Sequence, residues 1–483
     1  MNSISKTRER LLKRELSCAE LTEMYLAAAR RENGDLSAYT LITDEEARRA
    51  AAEVDARLAR GEKLPPLAGI PFVLKDNIST KDIKTTCASR MLEDYVPIYD
   101  AFVWSGLKEQ GAVMCGKGNM DEFAMGSTCE TSYFGGAKNP HDLTRVAGGS
   151  SGGAASAVAG GVAVYGIGSD TGGSIRQPAS FCGLVGLKPT YGAVSRNGLI
   201  AYASSFDQIG PITTCVEDAA TVFDAICRKD PADMTSRGAE RVSGRLHSDV
   251  RGLRVGVAKE FFENLPAEIA SAMERALDFY KRAGAELVEI AFPMLRYCLP
   301  VYYILACAEA SSNLGRYDGL RYGHRAETFD DLDDLICRTR SEGFGQEVRR
   351  RIILGTYVLS AGYYDAYYNK AQALRRTIKN RFREIFTKCD LLLTPTVPVT
   401  ALKCGAGLSP VETYQTDICT VSVNIAGLPA VSVPCGFDGA GLPVGMQLIG
   451  DKFTEARILS AALAFESGTG GAYLKDSGRG VSL

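Results

Sequence analysis

Two serine clusters wrapped in glycine stand close together in the chain, Gly148-Gly149-Ser150-Ser151-Gly152-Gly153 and Thr171-Gly172-Gly173-Ser174. The run between them, Ala154 to Ile167, carries no charge, so the stretch reads as interior and not as a solvated Gly/Ser linker. Glycine beside a serine lets the backbone turn sharply and lets a substrate carbonyl approach without meeting a Cβ. It also leaves N–H groups able to converge on a developing oxyanion. The chemistry this suits is acyl transfer to a serine hydroxyl, which needs a base. Histidine is the usual base, but His141, His247 and His324 lie in no active-site motif, so a Ser-His-Asp triad is possible but poorly supported. The alternative is a lysine kept neutral by burial. Lys75 ends the apolar, strand-like run that begins at Pro66, an unsuitable setting for a solvated lysine and a suitable one for a working lysine.

Lys75, the GGSSGG around Ser150 and the GSDTGGSIRQP around Ser174 resemble the amidase signature family. That resemblance runs over nearly the whole chain and implies a Ser-Ser-Lys triad: Ser174 attacks an amide carbon and Ser150 relays its proton to Lys75. It further implies a cis peptide at Gly149–Ser150. The N–H groups of Thr171, Gly172, Gly173 and Ser174 are the expected oxyanion donors. Asp170 and Arg176 flank Ser174 and are expected to pair across the turn and hold it.

Within that family, AYASSFDQIGPIT, SSNLGRYDGLRYG, GTYVLSAGYYDAYYNKAQ and TDICTVSVNIAGLPAVSVPCG resemble the A subunits of bacterial aspartyl/glutamyl-tRNA amidotransferases. This implies a glutaminase that passes ammonia to the B subunit, which amidates a misacylated tRNA, while the small C subunit braces the pair. ATP and magnesium are then used by the assembled complex, with no cofactor or metal in this chain, and tRNA is met mainly through the B subunit. Arg350 and Asp417 match the positions that hold the carboxylate and ammonium of glutamine, and Tyr302 or Tyr303 adds a hydroxyl. Ala147, Ala154 and the C-terminal tail depart from the family pattern without removing a catalytic atom. The rival reading is a stand-alone amidase acting on another small amide.

Composition narrows the field. Of the 483 residues 46% are hydrophobic and 23% charged, as in ordinary soluble proteins, and the formal charge of −2 gives no basic footprint for direct nucleic-acid binding. Fourteen cysteines without CxxC pairs read as reduced, buried thiols. The N-terminal segment carries charges throughout and has no apolar core of a secretory signal, and no stretch is long and apolar enough to span a membrane, so a cytoplasmic protein is expected. A phosphate-binding loop is excluded, because GxxxxGK[ST] is absent.

The elements that must position these groups follow from periodicity. Helices are expected over about 5–31 and from Thr43 to Gly61, the second opened by a capping box of Thr43 with Glu46. A short helix Ala101–Gln110 ends at Gly111 before a buried strand Ala112–Cys115. Asp121 and Glu122, adjacent and so pointing apart, are read as structural. Short β segments are expected at Cys182–Thr190 and Gly192–Ile200, a turn-rich loop at Ala203–Pro211, and a polar surface excursion near 229–251. A parallel β-α-β unit spans Leu253 to Ile290. A helical section follows over about 301–387, its tyrosine cluster Tyr357–Tyr368 expected to pack inward. Strands return at Leu391–Leu393, Ala430–Pro434 and Gly445–Ile449, and the last stretch, rich in Gly and Ser, reads as weakly structured. The expected fold is one α/β unit of the amidase-signature type, a large mixed β-sheet covered by helices on both faces. It divides into N-terminal helices (1–61), a catalytic core (62–215) and a helical insert on the substrate side (301–387).

Overall fold

Alternation along the buried strands decides which side chains meet which helical layer. In a computed structural model, which describes residues 2–481 and 483, Leu391 and Leu393 join one hydrophobic cluster while Leu392 joins another, and Phe72 and Leu74 separate from Val73 in the same way. Successive side chains of a strand point to opposite faces, so a strand buried on both sides needs helices on both.

The strands are β1 (Tyr39–Ile42), β2 (Pro71–Lys75), β3 (Val113–Gly118), β4 (Lys138–Asn139), β5 (Asp142–Val146) and β6 (Tyr165–Asp170). Then come β7 (Val185–Lys188), β8 (Gln208–Thr213), β9 (Arg254–Ala258), β10 (Glu286–Ile290), β11 (Leu391–Pro395), β12 (Ala430–Phe437) and β13 (Pro443–Gly450). Eleven of them form one mixed sheet in the order β1-β3-β2-β6-β8-β7-β12-β13-β11-β9-β10, while β4 and β5 make a separate ribbon. Parallel pairing joins β2 to both β3 and β6, and β9 to both β10 and β11. The expected mixed sheet is therefore present, as is the parallel unit, with the helix Ala267–Arg282 crossing between β9 and β10.

Several local expectations are corrected. The first helix is two, Ile4–Leu12 and Cys18–Leu36, because Arg14 takes a positive φ and Ser17 opens the second with its own capping box to Glu20. No capping box forms at Thr43. Its hydroxyl instead donates to Met114 O at 2.8 Å, tying the helix Asp44–Ala59 to β3. Gly192–Ile200 has no strand beyond one bridge, Ile78 with Leu199, whereas the loop expected to close at Pro211 runs into β8, deep in the sheet. Gly210 and Pro211 look like breakers locally, but pairing with β6 and β7 on either side overrides them.

The tyrosine cluster does not pack inward either. Tyr357, Tyr363, Tyr364 and Tyr367 are each about two-fifths exposed and lean on one another, Tyr357 and Tyr363 with ring centres 4.3 Å apart. The helix ends at Leu359, where Ser360 turns extended, Gly362 follows with φ +89°, and the chain resumes as a π-helical turn over Tyr364–Asn369. Among the described residues the tail carries no helix or strand after Gly468, but it is tied down, Ser477 Oγ donating to Ala159 O and Val481 N–H to Gly161 O. Among the described residues no helix is long and apolar enough to cross a membrane.

Candidate active site

Strand parity aims Lys75. Phe72 and Leu74 enter one cluster, so Val73 and Lys75 face the other side, where the helix Gly152–Ala159 carries the first serine loop. That loop lies flat on β6 because Gly168 has no side chain. A Cβ there would stand 2.8 Å from Ser151 Oγ. Lys75 is fully buried, and its Nζ donates to Ser150 Oγ at 2.7 Å and to Ser169 O at 3.2 Å. Among the described residues no carboxylate comes within ion-pair distance of it. Burial pushes its pKa down to about 7, and Asp121, Cys129, Asp170 and Asp207 oppose only part of that. The Gly149–Ser150 peptide is cis, as the resemblance implies.

Ser174 sits at the mouth of this arrangement. It is 7% exposed, while Lys75 and Ser150 are at 0%. Its Oγ has no hydrogen-bond partner among the described residues, and its carbonyl accepts from Ser151 N–H at 3.1 Å. Asp170 and Arg176 do pair beneath the turn, with Nε and Nη2 of Arg176 each 3.0 Å from the carboxylate. Arg176 also donates to Thr420 O, Gln447 Oε1 and Asn424 Oδ1, so all five of its N–H groups are used. Burial alone would raise the pKa of Asp170, but Arg176 holds it at about 2.

Asp170 also takes the Gly173 N–H at 2.9 Å and that of Ile175 at 3.2 Å. Gly173 thereby drops out of the expected oxyanion set, because the carboxylate anchored by Arg176 has already claimed it. The N–H groups of Thr171, Gly172 and Ser174 keep no acceptor among the described residues. Thr171 is fixed by its side chain, whose Oγ1 donates to Asp207 Oδ1 at 2.7 Å. Asp121 and Glu122 do point apart: Asp121 accepts from Thr131 Oγ1, and Glu122 from Gly345 N–H.

Beyond Ser174 the insert closes over the loop. The Tyr302 ring packs against Gly172, where a Cβ would stand 2.5 Å from Cζ. Tyr303 Oη and Ser127 Oγ each donate to Asp417 Oδ2 at 3.0 Å. Burial raises Asp417 to about 7, with Tyr303, Ser127 and Arg351 opposing. Two neighbouring arginines reach this region, Arg350 and Arg351, and both pair with Glu347. The Arg350 side chain is 40% exposed. Arg351 is 3% exposed, donates to Glu347 Oε1 at 2.8 Å and to Tyr202 Oη at 2.7 Å, and lies 5.2, 5.3 and 5.5 Å from the ring centres of Tyr303, Tyr414 and Tyr202.

Helix phase decides this. In Gln346–Leu359 the buried positions are Val348, Arg351, Gly355 and Val358, one stripe at helical spacing. Gly355 seats the stripe, since a Cβ there would meet Cys307 O at 1.9 Å. The apolar run Ile352-Ile353-Leu354 hides that phase in the sequence, because Ile353 is in fact 69% exposed. Ser127 and Tyr414 are singled out by no sequence pattern, and Tyr202 lies in the AYASSFDQIGPIT stretch without being marked as a site residue. His141, His247 and His324 make their contacts elsewhere, with Cys182 O, Asp249 O and Glu342. Among the described residues no group of three or more His, Cys, Asp or Glu forms a metal site.

This constellation can be set beside known proteins. The family model for amidases matches residues 20–459. The A subunit of glutamyl-tRNA(Gln) amidotransferase from Caldanaerobacter subterraneus subsp. tengcongensis is 53% identical over 468 residues, 96% of each chain. The crystal structure of the Thermotoga maritima counterpart superposes with a TM-score of 0.81 at 41% identity, covering 99% of this chain and 96% of that one. The peptide amidase of Stenotrophomonas maltophilia superposes equally well, with a TM-score of 0.81 at 28% identity and 98% coverage of both chains. The chain belongs to the amidase signature family and, within it, to the glutamyl-tRNA(Gln) amidotransferase A subunits.

Proposed function

We propose that the chain hydrolyses glutamine through Lys75, Ser150 and Ser174 and delivers the ammonia to a partner protein that amidates a misacylated tRNA. The observation that carries the mechanism is the 2.7 Å contact of a buried Lys75, free of any ion pair, with Ser150. A lysine near pKa 7 is largely neutral at physiological pH and can take a proton, which an ordinary lysine cannot.

Ser174 Oγ attacks the side-chain amide carbon of glutamine, its proton passing to Ser150 while Ser150 gives its own to Lys75. The oxyanion is received by the N–H groups of Thr171, Gly172 and Ser174, each such donor being worth about 3 kcal/mol. The proton returns through Ser150 to the leaving nitrogen, the C–N bond breaks and ammonia departs. Water then attacks the glutamyl ester by the same relay in reverse and releases glutamate. Arg351 holds the substrate α-carboxylate, Asp417 its α-ammonium, and Tyr302 and Tyr303 wall the space between them. Asp170 and Arg176 keep the Ser174 turn rigid.

On this reading the N-terminal helices, the core over 62–215 and the helical section over 301–387 work as one unit. Its partners are the B and C subunits of a cytoplasmic complex that uses ATP and magnesium and meets tRNA mainly through the B subunit. The test is ammonia release from glutamine by the purified chain, alone and with the B and C subunits, beside Ser174→Ala. Glutamine-specific release that rises with the partners and vanishes in the variant is expected. Turnover of other amides by the chain alone, with none of glutamine in the complex, would overturn the reading in favour of a stand-alone amidase.

A further inference from the structure

Away from the serine site, the helix Lys370–Lys388 lines a cavity of about 330 Å³ together with Tyr191, Ser205 and Lys452, which follows β13. Arg375, Arg376 and Lys379 project from one side of that helix into the cavity, and no carboxylate lines it. Of these cations only Arg375 is provided for: it donates to Ser205 Oγ, Ser205 O and Ile425 O, with Glu309 nearby. Arg376, Lys379 and Lys452 make no ion pair among the described residues. The charged neighbours felt by the half-buried Lys379 are Arg375, Lys452 and Arg383, all cations, and with burial they push it down to about 8.

Like charges gathered in a pocket repel, and folding alone gives no reason to collect them. The wall opposite the helix does not supply the missing anion either. At the end of the helix Val421–Ala426, Ile425 O accepts from Arg375 and the carbonyl of the following Gly427 from Tyr191 N–H. Three unmatched cations around a small cavity suit a compact group with several charged oxygens better than a single carboxylate.

We propose that this cavity binds a phosphate group, held by Arg376, Lys379 and Lys452 beside the anchored Arg375. The phosphate comes either from a small free anion or from the backbone of an RNA strand. The site adjoins the loop that carries Phe206, whose ring lies 4.2 Å from Arg375 and meets Tyr302 edge-on at 5.7 Å.

The test is calorimetric titration of the full-length chain with pyrophosphate, and separately with a twelve-nucleotide oligouridine. The proteins compared are the wild type, Lys379→Gln, Lys452→Gln, the double variant and Lys281→Gln as an exposed control. Each single substitution at the site should weaken binding about tenfold and the double should abolish it, with the control unchanged. All variants should keep the wild-type melting temperature and amidase turnover. Oligouridine that displaces pyrophosphate identifies the source as an RNA backbone, and displacement by inorganic phosphate alone identifies a free anion. No binding of either probe to the wild type up to about 10 mM, or equal binding by the double variant, overturns the proposal.

Discussion

Lys75 and Lys188 are two strand-end lysines with the same burial and opposite surroundings. Each ends its strand, β2 or β7, each is wholly inaccessible, and burial pushes each down to about 7. Lys188 spends all three protons on oxygens that can only accept: Pro189 O, Gln208 Oε1 and Leu428 O. Lys75 meets one carbonyl and one hydroxyl, Ser150 Oγ, which both accepts and donates. A depressed pKa therefore does not by itself mark a catalytic base. What distinguishes Lys75 is a hydroxyl partner that can both take a proton and give one.

That difference can be attacked from both ends. The largest expected effect is on turnover. Ser174→Ala, Ser150→Ala and Lys75→Met should each lower kcat for glutamine by about 10⁴-fold or more, and any pair should cost little beyond the worse single, because the three act as one unit. Ammonia release per folded protein is the measurement. Lys188→Met should leave the turnover of the folded fraction within about twofold. A large loss in that variant would erase the distinction.

Next in size is the substrate end. Arg351→Gln should cut kcat/KM for glutamine by about 10²-fold, mostly through KM, as loss of a charge-assisted contact to a carboxylate would. Arg350→Gln should stay within about threefold, since its side chain is the more exposed of the two. Equal losses in both would mean that helix phase does not select the residue.

Smaller still is the response to pH. Neutral Lys75 is the active form, so kcat should fall about tenfold per pH unit below a midpoint near 7 and level off above it. Asp417 must be ionised to hold an ammonium, so kcat/KM should carry a second acid limb near 7 that Asp417→Asn removes while the limb in kcat stays. A pH-independent kcat between 6 and 8 would rule out a neutral-lysine base.

The least dramatic effect is on stability, where the order of the two lysines reverses. Lys188→Met strands three buried acceptors and should cost about 3 kcal/mol, read as a lower denaturant midpoint. Lys75→Met leaves Ser169 O its second donor, Ser151 Oγ, and releases only a rotatable hydroxyl, so it should cost about 1 kcal/mol or less.

The triad is legible in the sequence because its parts are local. Lys75 closes a readable strand, and both serines sit in motifs whose glycines are part of the signal. The parity of β2 is legible for the same reason. Arg351 is not, because Arg349-Arg350-Arg351 offers three candidates and the apolar run after them blurs the phase. Strand β8 is hidden because Gly210 and Pro211 speak for a turn, and only pairing on both sides outweighs them. The tyrosines near 357–368 face inward only on one unbroken helix, and the helix stops at Leu359, where Ser360 turns extended.

The sequence by itself determined the chemistry: two glycine-set serines, a lysine at the end of an apolar strand and the resemblance that joins them. Tertiary structure alone decided which buried lysine meets a hydroxyl, which of three arginines is buried and which backbone N–H groups of the serine turn lack an acceptor among the described residues. Those outcomes depend on partners hundreds of residues away. Asn424 and Gln447 fix Arg176, Arg176 fixes Asp170, and Asp170 removes Gly173 from the donors, while Tyr202 draws Arg351 inward. Hydrogen bonding and burial act through distance in space, and no pattern along the chain records that distance.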